Sequence, residues 1–215
     1  MPATKPGERK QQILEVLAEM LERPAPEKIT TAALAARLDV SEAALYRHFA
    51  SKAQMFEGLI EFIEQTVFAL ANKITAEESS GLKQLERTIS MLLGFAQKNR
   101  GMTRVLIGDA LVNENERLQA RINQLHDRLE ATIKQALRFA ASQNEIQTDF
   151  DAAARANLIL SFVVGRWHQF AKSGFKRDPL EYWPGQWPGL VAERPGRQSV
   201  ANPGDGAASR LTDET

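Results

Sequence analysis

Cysteine is absent from the chain. That excludes disulfides, thiolate metal ligands and cysteine nucleophiles. Net charge is absent too: 27 basic side chains balance 27 acidic ones, so no global field draws the chain to a polyanion, and any attraction to nucleic acid must be local. The three histidines, His48, His126 and His168, lack ligand-like spacing with carboxylates, and no metal site is expected. No apolar run approaches the roughly 18 residues needed to span a bilayer. The opening MPATKPGERK has no apolar core behind its charges to act as a secretory signal. A cytoplasmic protein is expected. Gly-rich phosphate loops and the HExxH and GxSxG patterns are missing, and the carboxylates are scattered, so the chain is expected to be no enzyme and to need no cofactor.

What is present is apolar material in helical spacing. With 43% hydrophobic and 25% charged residues in 215 positions, the chain can build a substantial core. No strand alternation and no internal repeat occur, so the fold class is all-α. Residues 1–7 read as a flexible arm. Ile13, Val16, Leu17, Met20 and Leu21 then recur at helical intervals and predict an amphipathic helix from about 8 to 23, stopped by Pro24 and Pro26.

Residues 30–52 carry the sharpest signal: TTAALAARLDVSEAALYRHFASK. Two short apolar-periodic segments flank Leu38-Asp39-Val40, and Ser41 stands where the second needs an N-cap. Leu34, Ala35, Leu38, Val40, Leu45 and Phe49 can meet in one small core. Glu42, Ala43, Ala44, Tyr46, Arg47 and His48 are left outward. Small residues beside Tyr, Arg and His can enter a major groove, with Tyr46 and His48 reaching phosphates. Thr30 or Thr31 caps the first helix while presenting its amides to a phosphate. The alternative is an ordinary helical hairpin with a solvated face. Eight basic and seven acidic side chains in residues 1–52 give little help, unless Lys5, Arg9, Lys10, Lys28, Arg47 and Lys52 share a face.

From Lys52 an apolar face persists through Met55, Phe56, Leu59, Ile60, Ile63, Val67, Leu70 and Ile74, predicting one long helix. After a polar break at 77–81 comes Leu82 to Phe95, ending near Asn99-Arg100-Gly101, where Gly101 can adopt a left-handed C-cap. Leu118, Ile122, Leu125, Leu129, Ile133 and Leu137 predict a charged long helix, read as a bundle helix rather than a coiled coil. Residues 151–170 are apolar almost all round and rich in small side chains, which implies burial on two sides. A second subunit is the simplest cause, with Ala156, Leu160, Val163, Val164 and Trp167 as the dimerisation residues; a central helix within one chain is the alternative. Pro184 and Pro188 interrupt a short amphipathic segment around Trp183 and Trp187, and residues 193–215 are expected to be disordered.

The string ALYRHFASK resembles the DNA-binding domain of the TetR family, in which a helix-turn-helix is followed by a Lys opening the next long helix. Here that is Lys52, after Ser51. The stretches MFEGLIEFIE, LLGFAQKNRGMTR, ERLQARINQLHDRLEA, SFVVGRW and SGFKRDP are further similar to the nucleoid-occlusion branch of that family. The resemblance implies a TetR-like chain: a three-helix helix-turn-helix domain over 8–52 and a larger helical dimerisation and partner-binding domain over 53–192. It implies a homodimer on a palindromic double-stranded DNA site, associated with the nucleoid, that antagonises assembly of the division protein FtsZ. Carried over by position, Thr30, Thr31, Ser41, Glu42, Ala43, Ala44, Tyr46, Arg47, His48 and Lys52 face DNA, and Phe62, Gly94, Lys98, Asn99 and Arg100 form the partner surface. Lys98 stands where an Arg is usual, Leu70 where a basic residue is expected and Arg100 where a Pro is usual; Arg100 can extend a basic patch from Lys98 to Arg104. A ligand-released TetR-type repressor and a helical interaction module without specific DNA binding are the competing readings.

Overall fold

Every regular element is a helix, in a computed structural model that describes residues 6–23, 29–112, 114–147 and 151–192. Among these residues α1 spans Pro6–Leu21, α2 Thr31–Arg37, α3 Glu42–Tyr46, α4 Lys52–Glu77 and α5 Gly81–Lys98. Then come α6 Arg100–Leu106, a 3-10 turn Asp109–Leu111, α7 Glu116–Ser142, α8 Ala152–Lys172 and α9 Trp183–Val191. The short polar residues before the helices explain where they start. Thr30, Ser41, Ser51, Ser80 and Asp151 each accept from a backbone N–H of the first turn, and each such cap contributes about 1 kcal/mol. The N-terminal helix includes Pro6 and Gly7, which the sequence pattern assigned to the arm. Its expected stops Pro24 and Pro26, and the tail 193–215, lie outside the described residues.

The long helix α4 runs about 39 Å at 1.5 Å per residue, burying Met55, Phe56, Leu59, Ile60, Ile63, Val67, Ala71 and Ile74. Spacing of four and three carries the buried face from Val67 through Ala71 to Ile74, so Leu70 is turned out and 39% exposed. Behind it, Leu118, Ile122, Leu125, Leu129, Ile133 and Leu137 of α7 are all buried against α5 and α8, the packing of a bundle helix. Trp167, fully buried in α8, donates from Nε1 to the Leu92 carbonyl of α5 at 3.1 Å. The core is continuous from Ile13 in α1 to Trp183 in α9.

Three expectations change. Gly101 is not a left-handed cap: α6 follows α5 after Asn99 alone, and Gly101 lies in α6 with its α-carbon against α1. A Cβ there would stand 1.9 Å from the Ala18 carbonyl oxygen. In α8, Ala156, Leu160, Val163 and Trp167 are buried within this chain, because α5 and α7 cover that face. Of the five dimerisation candidates, Val164 and the edge of Leu160 border an open groove on the outer side, near exposed Ser161 and Gly165 and the 58% exposed Leu158. Finally, Pro184 and Pro188 do not break α9. Pro184 falls in the first turn, where an N–H has no acceptor in any case, and Pro188 omits a single bond.

His126 of α7 lies beneath α8, its ring 6.1 Å from that of Trp167 and its Nε2 without a partner. Burial lowers its pKa below the ordinary imidazole value, against smaller opposing effects of the Leu106 backbone and Asp127. The unfolded chain therefore binds this proton more readily than the folded one. Stability is complete above the unfolded value of about 6.5 and declines as pH falls below it, by at most about 1.4 kcal/mol per pH unit. Chemical denaturation between pH 7.5 and 5 checks this: His126→Phe should flatten the slope.

Candidate DNA-binding unit and partner surface

The α2–α3 unit turns at Asp39, whose φ of 52° is left-handed, a conformation that Asp tolerates better than most side chains. The Val40 N–H closes the turn on the Ala35 carbonyl at 3.0 Å. Leu34, Ala35 and Leu38 of this turn, with Leu45 and Phe49, form the small core beneath it. The helix presented outward is short. Regular geometry ends at Tyr46, and Arg47 and His48 lie in the turn that follows. Ser41, Glu42, Ala43, Tyr46 and Arg47 are exposed, Ala44 and His48 half-buried.

A hydroxyl chain ties the start of α2 to this face: Tyr46 Oη donates to Thr31 Oγ1 at 3.5 Å, and Thr31 donates to Glu42 Oε2 at 2.5 Å. Thr30 accepts from the Ala33 N–H at 3.1 Å as the cap of α2. Lys52 opens α4 directly after its cap Ser51. Its ammonium pairs with Glu114, half-buried, and lies 5.7 Å from the Phe56 ring; the first turn of α4 packs beside the segment entering α7, so this charge is already neutralised. Lys10 covers Phe49 at 5.7 Å, Arg9 donates to Gln12, and Lys5 and Lys28 lie outside the described residues. Of the six cations whose common face is in question, Arg9, Lys10, Arg47 and Lys52 are among the described residues.

On the partner side, Phe62 is 42% exposed, and Thr66 and Leu70 follow at four-residue steps on the same face of α4. At the end of α5, Lys98 and Arg100 are exposed and Gly94 and Asn99 half-buried. The Asn99 amide donates to the Phe95 carbonyl at 2.7 Å. Arg104 does not extend this patch. It is buried, paired with Asp109 at 2.7 Å, and donates to the Arg23 carbonyl at 3.0 Å and the Leu21 carbonyl at 3.4 Å. Burial would raise the Asp109 pKa, but hydrogen bonds from Lys172 and Arg104 outweigh it and hold the carboxyl below its usual range. Helix α6 is thereby fastened to the end of α1. The sequence places Arg104 in the basic patch because its acceptors are main-chain oxygens at the end of α1, which no side-chain pattern announces.

Among the described residues no cluster of His, Asp and Glu can hold a metal, and no helix is long and apolar enough to cross a membrane. An open cleft of about 520 Å³ lies between α4, α5 and α7, lined by Thr75, Gln84, Thr88, Thr132 and Arg138 among others.

A capped helix-turn-helix feeding one long helix, in front of a larger helical body, defines a TetR-type DNA-binding regulator. Residues 13–59 match the family described as bacterial regulatory proteins, tetR family, and residues 79–194 match the SlmA-like group described as tetracyclin repressor-like, C-terminal domain. Solved structures share this fold: the fatty acid degradation regulator FadR from Bacillus halodurans (TM-score 0.74, 15% identity, 90% of this chain and 100% of that one) and the regulator PfmR from Thermus thermophilus (0.69, 22%, 85% and 100%). The nucleoid occlusion factor SlmA of Alteromonas mediterranea is 50% identical over 187 residues, 87% of this chain and 96% of that protein. That of Marinomonas sp. is 46% identical over 185 residues, 86% and 94%. The chain belongs to the SlmA family of nucleoid occlusion factors, DNA-binding dimers of TetR type.

Proposed function

We propose that the protein, bound to DNA as a homodimer, presents the α4–α5 surface to FtsZ and so antagonises its assembly over the nucleoid. The observation that carries this reading is the exposure of Phe62 and Leu70 on the helix that starts at the recognition unit, which packs on α5, together with the exposed cations Lys98 and Arg100 where α5 passes into α6. An apolar face rimmed by charge is the usual composition of a protein-binding site. Thr30, Thr31, Ser41, Ala43, Ala44, Tyr46, Arg47 and His48 are the DNA-facing residues. Glu42 orients Thr31 and Tyr46. Lys52, with three donors and one carboxylate partner in Glu114, is the phosphate-reaching residue at the start of α4. The outer face of α8, with Val164, Leu158, Ser161 and Gly165, forms the subunit contact and sets two recognition units about 34 Å apart on a palindromic site. The functional boundary between the DNA-binding and partner-binding parts falls at Lys52. Because the core is continuous across it, the position of α3 on the duplex sets where the partner surface points.

Sedimentation of FtsZ polymers with the protein, with and without a palindromic duplex, tests the reading. The wild type should reduce the pellet, more strongly with DNA. Lys98→Asp should keep its DNA affinity and lose this effect, while Tyr46→Ala should weaken DNA binding about fivefold, the worth of one hydrogen bond near 1 kcal/mol. Loss of both activities in Lys98→Asp, or of neither, would overturn the surface assignment.

A further inference from the structure

The loop joining α8 to α9 is built around an uncommon backbone. Gly174 and Phe175 both take left-handed φ values, 66° and 63°. Glycine does this freely, but an aromatic residue does so at a cost that the surroundings must offset. Here they do. The Phe175 N–H bonds the Phe170 carbonyl at 2.9 Å, and Ser173 Oγ accepts from the N–H groups of Lys176 and Arg177 at 3.1 and 2.9 Å. The Phe175 ring stands edge-on to Phe170 at 5.2 Å.

This loop is locked against the end of α5. Gln97 donates to Asp178 at 2.6 Å, and the Arg100 guanidinium lies 5.9 Å from the Phe175 ring. Leu180 of the same loop sits beside Gly94, where an added Cβ would meet it at 3.8 Å. Lys98, Arg100, Lys176 and Arg177 are all exposed, and among the described residues none pairs with a carboxylate. Asp178 is occupied by Gln97 and by the Leu180 N–H at 2.8 Å; Glu181 lies further on, towards α9.

We propose that this loop is the second wall of the partner surface, with Lys176 and Arg177 joining Lys98 and Arg100 as a cationic rim that takes acidic side chains of an extended, partly apolar segment of FtsZ. The proposal rests on the FtsZ reading above. Unpaired cations on a rigid frame favour a negatively charged occupant. The adjoining Leu180 and Phe175 favour a polypeptide over a sugar-phosphate backbone, which offers no apolar side chains. A positive rim also predicts salt-sensitive association. The left-handed turn at Gly174 and Phe175 and the Ser173 hydroxyl fix the backbone of Lys176 and Arg177 next to Asp178, which Gln97 of α5 holds.

The full-length protein carrying Lys176→Glu with Arg177→Glu tests this, with immobilised FtsZ and a palindromic duplex as separate probes over a salt series. Expected are a loss of FtsZ affinity of about tenfold or more at low salt, a shallower salt dependence, and unchanged DNA affinity. Both positions are exposed loop sites, and an unchanged far-UV spectrum verifies folding. If the rim variant binds FtsZ normally while Lys98→Asp does not, the loop is excluded and the α4–α5 reading stands. If the wild type does not bind FtsZ, or Lys98→Asp binds it normally, the reading itself fails and this proposal with it. A fall in DNA affinity with FtsZ binding intact would assign the rim to nucleic acid and overturn the proposal.

Discussion

Leu45→Lys should leave the recognition unit unfolded and abolish DNA binding. Leu45 is 0% exposed, at the point where α3 meets the apolar residues of α2. Removing the leucine forfeits about 1.5–3 kcal/mol of burial, and an unpaired ammonium in its place adds a desolvation penalty of several kcal/mol. No buried carboxylate can compensate: among the described residues the buried polar side chains are Gln84, Thr88, Thr103, Arg104 and Arg166. Together these rival the whole stability of a typical domain, about 5–15 kcal/mol. A thermal melt followed by far-UV circular dichroism measures the effect, and a wild-type transition would refute the assignment of α3.

Gly101→Val should be nearly as severe, although it introduces only an apolar side chain. The first added carbon would lie 1.9 Å from the Ala18 carbonyl oxygen, 2.8 Å from its carbon and 3.2 Å from Leu21 Cβ. Two of these three atoms are backbone within α1, so relief requires α1 and α6 to part. Overpacking of this kind costs about 1–3 kcal/mol and occasionally more. The upper end is expected here, since separation also strains the Arg104 bonds to the Leu21 and Arg23 carbonyls. Gly7→Ala in α1 is the contrast: nothing stands within 4 Å of the new carbon, and stability should rise by up to about 1 kcal/mol. Urea titration of the two variants decides whether the α1–α6 contact carries the load assigned to it.

The elements most legible beforehand were those whose signal is local. Ser41 announces a helix start because the bond it makes is to its own chain three residues on. The period of α7 is equally plain, since one face is apolar and the other charged. Where the decisive partner is remote, pattern fails. Nothing near Lys52 in the sequence announces its pairing with Glu114, 62 residues away. Helix α8 is apolar on so much of its circumference that periodicity selects no inner face, and only the arrival of α5 and α7 decides that Trp167 and Val163 point inward. Gly101 shows a third failure: glycine before a turn and glycine at a close helix contact are the same letter. The outward set of the recognition helix was readable as composition, but the hydroxyl relay from Tyr46 through Thr31 to Glu42 needed the angle between α2 and α3.

Asn99 is the whole connection between α5 and α6, one residue at φ −126° and ψ 68°. An extra residue there would change both the direction in which α6 leaves α5 and the face it turns to α1. Gly101 would leave Ala18, and Arg104 would point away from the end of α1. Between Lys98 and Arg104 the number of residues therefore constrains the chain as tightly as their identity, and the three residues joining α4 to α5 are held as well: the Ser79 carbonyl accepts from Gln143, and Glu78 holds Gln84 and Arg87.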